Sequence, residues 1–162
     1  MVAAKAQASP QGFVIGCAGE YRAAEADEVL LAAQARGSDV MTSPAVVKDF
    51  LRTRLGSLPR EVFSVVHLDS QNRVLDYVEM FRGTVSQTAV YPREVVRDAL
   101  LRNSTALLLV HNHPSGVAEP IQADELITNR LRDALALVDV RVLDHLVVTG
   151  DAIVSFAERG LL

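Results

Sequence analysis

Two histidines stand one residue apart in the stretch HNHPSGVAEPIQAD, and an acid follows eleven positions after the second of them. These residues are His111, His113 and Asp124. Side chains i and i+2 of a strand point to the same face, so a strand that ends here directs both imidazoles to one place. Two neutral imidazoles and a carboxylate suit a zinc ion whose fourth position stays open for water, which is the catalytic arrangement. A hydrogen-bonded polar loop is the alternative, and the spacing alone leaves both interpretations open.

The segments on either side predict where these side chains lie. The run TALLLV, just before His111, is continuously apolar, as is typical of a strand buried on both faces. The segment ADELITNRLRDALALV has helical spacing and carries Asp124 in its first turn. We therefore expect all three side chains at the C-terminal end of a buried strand, where open α/β sheets bind their ligands.

The remaining segments predict an α/β fold with one mixed β-sheet flanked by helices. EVFSVVHLD and VLDYVEMFRG have the pattern of a hairpin, TVSQTAVY that of an extended segment, and VRVLDHLVVTG that of a later strand, with a short strand in AIVSFAERGLL. A helix begins at Pro92, and its predicted apolar face consists of Val95, Val96, Ala99 and Leu100.

An N-terminal helical extension precedes this body. Helical spacing predicts one helix in YRAAEADEVLLAAQARG and a second that has Ser43 as its N-cap and Pro44 at its first position. The second helix ends at Gly56. We therefore divide the chain into residues 1–57, an arm with two helices, and residues 58–162, the body.

The composition argues against several classes of protein. Of 162 residues, 49% are apolar and 22% charged, which is the balance of a globular protein. A net charge of −4 predicts no general attraction to nucleic acid or acidic lipid. No apolar run predicts a transmembrane helix or a membrane partner, and MVAAKAQASPQGFVIGCAGE lacks the apolar core of a signal peptide. The single cysteine, Cys17, allows no internal disulfide, so we expect a cytoplasmic protein.

Several segments together resemble the RadC family, whose members carry a JAB domain (also called MPN or JAMM) that is metalloprotease-like. HNHPSG followed by an acid resembles the JAMM metal motif, Glu … His-x-His-x7-Ser-x2-Asp. The RadC-like segments are REVFSVVHLD, FRGTVSQTAVYPREVVRDAL, HNHPSG, LVDVRVLDHLVV and SFAERGLL. The resemblance implies a cytidine-deaminase-like α/β/α sandwich and a zinc (Zn²⁺) site whose ligands are His111, His113 and Asp124.

The glutamate of the motif matches Glu61. The resemblance implies a catalytic role for this carboxylate, which takes a proton from the attacking water and passes it to the leaving amine. The residues alone do not single it out. Glu79, Glu94 and Glu119 are equally available, and each acid by itself is typical of a solvated surface.

One position departs from the motif. Its serine would stand eight residues after His113, where this chain has Ile121. A hydroxyl there can donate a hydrogen bond to an oxyanion or cap the helix, and isoleucine can do neither. Ser115 is the nearest alternative hydroxyl, although a Pro-Ser-Gly turn also explains it. We therefore expect metal binding to be retained and turnover to be weakened.

Two further histidines, His67 and His145, lie in predicted apolar strands. A lone histidine in such a strand is more often a hydrogen-bonded core residue than a metal ligand. We therefore expect both to be core residues.

Three functions agree with these patterns. The first is a JAMM-type zinc hydrolase that cleaves an amide, peptide or isopeptide bond of a protein or peptide substrate. The second is a metal-binding interaction module without turnover, favoured by Ile121. The third is a DNA-repair-associated factor, suggested by the family's name and by Arg93, Arg97 and Arg102, although such a charge cluster is usually a solvated face. The sequence leaves the oligomeric state open, a homo-oligomer included.

Overall fold

The computed structural model describes residues 44–83 and 89–162. Its elements in chain order are α1 (Pro44–Leu55), β1 (Val62–Leu68), β2 (Val74–Arg82), α2 (Pro92–Leu101), β3 (Ala106–Asn112), α3 (Gln122–Ala136), β4 (Arg141–Val148) and β5 (Ile153–Ser155). The predicted helix at residues 21–37, the N-cap Ser43 and most of the predicted extended segment 84–91 lie outside the described residues.

The five strands form one mixed sheet in the order β2-β1-β3-β4-β5. The hairpin partners β1 and β2 are antiparallel, as are β1 and β3, whereas β3 and β4 are parallel. The short strand β5 pairs antiparallel with β4 at one edge. The predicted mixed α/β fold is confirmed, and β3, which carries the candidate histidines, lies at the centre of the sheet.

Helices cover both faces of this sheet. On one face, buried residues of α1 pack against Val62 and Val66 of β1. On the other face, buried residues of α2 and α3 pack against Phe63 and Val65, which point the opposite way from the same strand. The α/β/α layering implied by the family resemblance is therefore present.

Helix α1 belongs to the core of the body. Its side chains Leu51 and Leu55 are fully buried in the cluster that contains the first face of the sheet. The helix ends at Gly56, where a Cβ atom would lie 2.6 Å from the Arg52 carbonyl oxygen and 3.0 Å from that of Thr149. Because a boundary after residue 57 would separate α1 from this core, we place α1 with the body.

Helix α2 is narrower in its buried face than predicted. Val95 and Ala99 are fully buried, Val96 is half-buried, and Leu100 is 52% exposed. Residues one position apart on a helix differ by about 100° in direction, so Val96 and Leu100 lie to one side of the buried pair.

Among the described residues, no helix has the length and apolar character needed to cross a bilayer.

We expect Leu51→Ala to lower the free energy of unfolding of the whole body by about 2–5 kcal/mol, because it leaves a cavity between α1 and the sheet. Urea unfolding followed by circular dichroism measures this change. Thr53→Ala on the exposed side of the same helix is the matched control and should change stability by about 0.5 kcal/mol or less. An unchanged midpoint for Leu51→Ala would contradict the assignment of α1 to the core.

Candidate metal centre

The two motif histidines lie at the C-terminal end of β3. His111 is the second-to-last residue of the strand, and His113 follows it, held to β4 by a 2.9 Å hydrogen bond from its amide to the Val148 carbonyl. Their Nε2 atoms are 3.0 Å apart. The pleat of the strand therefore brings both imidazoles together as the sequence predicted.

Asp124 completes the group from the first turn of α3. Its Oδ1 lies 3.2 Å from His111 Nε2, and its Oδ2 lies 3.5 Å from His113 Nε2. A tetrahedral zinc ion with bonds of about 2.0–2.1 Å holds its ligand atoms roughly 3.3 Å apart. The distances between the two nitrogens, and from each nitrogen to the nearer oxygen of the carboxylate, are close to this value, and the group could hold a metal ion.

The charges within the group are complementary. The hydrogen bond to Asp124 is the largest influence on His113 and raises its pKa, and the nearby charge of Glu61 acts in the same direction. Burial raises the pKa of Asp124, but its contacts with the imidazoles of His111 and His113 outweigh burial and hold that pKa well below its usual range. Asp124 is therefore an anionic candidate ligand, and a metal ion at this site would compete with a proton on His113.

The second ring nitrogen of each histidine is also bound. His113 Nδ1 lies 2.8 Å from the Val117 carbonyl oxygen, and His111 Nδ1 lies 2.8 Å from Nε2 of His145. His145 in turn has its Nδ1 2.6 Å from the hydroxyl of Thr128 in α3. The Nε2 atoms of His111 and His113 are thus the ones that face Asp124.

His145 and His67 are both core residues, as predicted. His145 is fully buried, and burial lowers its pKa well below the ordinary value. His67 is also fully buried, near the opposite end of the sheet, with Nδ1 2.8 Å from the Ser104 hydroxyl and Nε2 2.9 Å from Asp98 Oδ2. Only His145 contacts the candidate site.

Glu61 lies directly before β1, next to the end of β3. The antiparallel register pairs Phe63 with His111, so continuing it by one pair beyond Val62 sets Glu61 opposite His113. The Asn112 side chain fastens this segment on both sides: its Oδ1 accepts from the Val62 amide at 2.8 Å, and its Nδ2 donates to the Arg60 carbonyl at 3.1 Å. The Glu61 backbone is therefore held beside the histidines.

The competing acids differ from Glu61 in having arginine partners. The ion pairs are Glu79 with Arg54 and Arg82, Glu94 with Arg93 and Arg97, and Glu119 with Arg159. These contacts give each of the three a surface or structural role. Among the four, Glu61 is the acid whose charge acts on a candidate ligand.

Ile121 occupies the N-cap position of α3 and makes no side-chain cap. Only half of a capping box is present. Asp124 Oδ2 accepts a 2.8 Å hydrogen bond from the Ile121 amide, but Ile121 has no side-chain oxygen to accept from the Asp124 amide. The Ile121 side chain is 57% exposed. Ser115 is exposed too, and its hydroxyl accepts a 3.4 Å hydrogen bond from the Val117 amide within the turn.

A match to known sequences agrees with this geometry. The profile of the RadC-like JAB domain matches residues 41–161, which include α1 and every candidate site residue. The chain belongs to the RadC family. This RadC-family chain is 60% identical over 133 residues to a UPF0758 protein of Aromatoleum aromaticum, covering 82% of the chain and 59% of the relative. It is also 62% identical over 128 residues to a UPF0758 protein of Thioalkalivibrio sulfidiphilus, and this match covers 79% of the chain and 56% of the relative.

The sequence reasoning did not single out two residues of this RadC site. Asn112 stands between the ligands, yet its strand position turns it away from them, so only the neighbouring strand reveals its partners. Thr128 follows Asp124 by four residues and so lies on the same helical face. That spacing was the one available signal, and the contact with His145 depends on a distant strand.

We expect Asn112→Ala to free the segment around Glu61 and to lower stability by about 1–3 kcal/mol, because the buried Val62 amide loses its acceptor. Amide hydrogen exchange at Val62 reports this directly and should accelerate. Asn112→Asp keeps an acceptor for the Val62 amide but has no donor for the Arg60 carbonyl, so it should retain more protection at Val62. Equal protection of Val62 in wild type and Asn112→Ala would contradict the bracing role.

Proposed function

We propose that this chain is a zinc-dependent hydrolase of the JAMM type that cleaves an amide bond, in a peptide or an isopeptide linkage. The observation that carries the proposal is the spacing of His111, His113 and Asp124, with the carboxylate of Glu61 on the adjoining strand end. Two imidazoles and one carboxylate form a donor set known from catalytic zinc sites, which keep a position open for water.

The chain's own residues divide the work in this proposal. When bound, zinc supplies a Lewis acid that polarises the carbonyl and makes water more acidic. His111, His113 and Asp124 hold the ion, and Glu61 accepts a proton from the attacking water and delivers it to the leaving nitrogen. Asn112 keeps Glu61 in reach by holding the backbone on both sides of it.

The proposed substrate is a protein or peptide. Relatives that carry the name UPF0758 provide no statement of activity, and the chain spans about 59% of the length of the first of them. The whole protein's substrate is therefore part of the proposal. The same donor set also binds other first-row ions, so zinc is proposed from its fit to the ligand spacing.

We expect about one zinc ion per chain in protein purified without added metal, and none in His113→Ala. Mass spectrometry of metal content measures both. Ser115→Ala, an exposed change in the adjoining loop, is the control and should keep the ion. Absence of metal from the wild type, even after zinc is supplied and excess is removed, would contradict the metal centre.

We expect Glu61→Gln to retain zinc and to lose hydrolysis by a factor of about 10²–10⁴, because the amide cannot shuttle a proton. Cleavage of peptide and isopeptide libraries, read by mass spectrometry, measures the loss. Glu119→Gln removes a carboxylate that Arg159 binds on the surface and should keep the wild-type rate. Undiminished cleavage by Glu61→Gln would show that another group moves the proton.

Ile121 favours a second candidate function, a metal-binding interaction module with little turnover. It leaves the helix start without a hydroxyl and removes one donor for an oxyanion. The charged surface of α2 gives less support to a nucleic-acid-binding role. Its three candidate arginines lie against acids, Arg93 and Arg97 at Glu94 and Arg102 at Asp98 and Asp76, which reduces the charge they can offer to phosphates.

The variant Ile121→Ser separates the hydrolase from the module. A serine should complete the capping box and raise the free energy of unfolding by about 0.5–2 kcal/mol. If the chain is a hydrolase weakened by Ile121, the rate of cleavage should also rise by a factor of about 10²–10³, because the new hydroxyl can donate to the oxyanion. Ile121→Ala, which adds no hydroxyl, is the control for both. Higher stability with no cleavage of any library substrate would favour the interaction module.

A further inference from the structure

A chain of hydrogen bonds runs behind the candidate metal centre, on the side away from the surface. It begins at the main-chain carbonyl of Asp124, which accepts from the Thr128 hydroxyl at 2.6 Å. It continues from Thr128 Oγ1 to His145 Nδ1 at 2.6 Å and from His145 Nε2 to His111 Nδ1 at 2.8 Å. Thr128, His145 and His111 are each at most 2% exposed, so these bonds lie away from bulk solvent.

The direction of each bond follows from the first one. A carbonyl oxygen can only accept, so the single hydroxyl proton of Thr128 is committed to Asp124. The Thr128 oxygen is then the acceptor in its contact with His145, and His145 Nδ1 must carry a proton. This fixes one nitrogen of His145 without reference to any metal ion.

The state of the other His145 nitrogen follows from its surroundings. The ring is fully buried, with centroids of the Phe63 and Phe156 rings 5.7 and 4.8 Å away. A positive charge in such apolar surroundings would be costly, so the imidazole is neutral and has one proton. Since that proton is on Nδ1, Nε2 has a lone pair and accepts from His111 Nδ1.

We propose that Thr128 and His145 are positioning residues that hold His111 as the tautomer protonated on Nδ1, which leaves a lone pair on Nε2 for the metal ion. The inference deepens the proposed function and rests on it for the metal ion alone. The tautomer itself depends only on the chain. His113 Nδ1 also carries a proton, because it faces the Val117 carbonyl, which can only accept.

This arrangement would assist metal binding in two ways. The Nε2 atom of His111 would not have to lose a proton before it binds the ion, and the hydrogen bond at Nδ1 would favour one orientation of the ring. Partners of this kind behind a ligand typically contribute about 10–100-fold to metal affinity. This relay of hydrogen bonds also joins α3 and β4 to the site, since Thr128 belongs to α3 and His145 to β4.

The first test uses the unmodified, metal-free protein. Two-dimensional ¹H–¹⁵N spectra of the imidazole nitrogens at mildly alkaline pH identify the protonated nitrogen of each neutral histidine. We expect Nδ1–H for both His111 and His145. Observation of Nε2–H on either ring would overturn the proposal, whatever the variants do.

The second test uses Thr128→Val, which keeps the shape of the side chain and removes the acceptor for His145. We expect a mixture of tautomers at His111 and zinc affinity lower by about 10–100-fold, measured by competition with a chromophoric chelator. Thr128→Ser restores the hydroxyl and should restore both readouts. Thr149→Val, which deletes a buried hydroxyl bonded to the Ala152 carbonyl, controls for the loss of a buried hydrogen bond.

The two proposals fail in different ways. A wild-type chain that binds no zinc but shows Nδ1–H on His111 and His145 removes the proposed metal centre and leaves the relay intact. If Thr128→Val keeps both the wild-type zinc affinity and the wild-type tautomer of His111, the metal centre is retained and the relay is overturned. An equal loss of affinity in Thr149→Val would also overturn it, because destabilisation alone would then explain the effect.

Discussion

The pairing of β3 between β1 and β4 is the constraint from which the site follows. Because strand side chains alternate, the register that turns His111 and His113 towards α3 also turns Asn112 away from them. The same register carries the start of β1, with Glu61, alongside the histidines. A slip of one residue would exchange the two faces, so that an amide would replace both imidazoles in the site. Burial of β3 on both faces makes such a slip costly, since Leu107 and Leu109 would leave their pockets.

The helix that follows, α3, contributes through its first two turns. Asp124 acts with two separate groups: its carboxylate faces the histidines, and its main-chain carbonyl receives the Thr128 hydroxyl. His145 then connects Thr128 to His111. The contacts therefore form a circuit that begins and ends at one residue and includes β3, α3 and β4. Such a circuit resists distortion because displacement of any one element breaks contacts at two places.

Local sequence patterns were sufficient to predict the positions of some of the site residues. The apolar run before His111 and the helical spacing after Ile121 located the two histidines and Asp124 correctly, because these residues are neighbours in sequence as well as in space. Glu61 could be selected only through its family resemblance, since it meets the histidines by pairing of strands about 50 residues apart. Thr128 and His145 were beyond reach for the same reason: their contact requires knowing how β4 lies beside β3. Similarly, the amphipathic spacing of α1 predicted a helix but could not tell which surface would cover Leu51.

The half-completed cap at the start of α3 makes the side chain at position 121 independent of the rest of the site. The Ile121 main-chain amide donates to the Asp124 side-chain carboxylate, so this bond does not depend on the side chain at position 121. That side chain is largely exposed and does not support the ligands. The side chain at position 121 can therefore change separately from the candidate metal-binding residues. An exchange at this position would leave in place the contacts among His111, His113 and Asp124, so the geometry of the candidate site does not require a particular residue at the start of the helix.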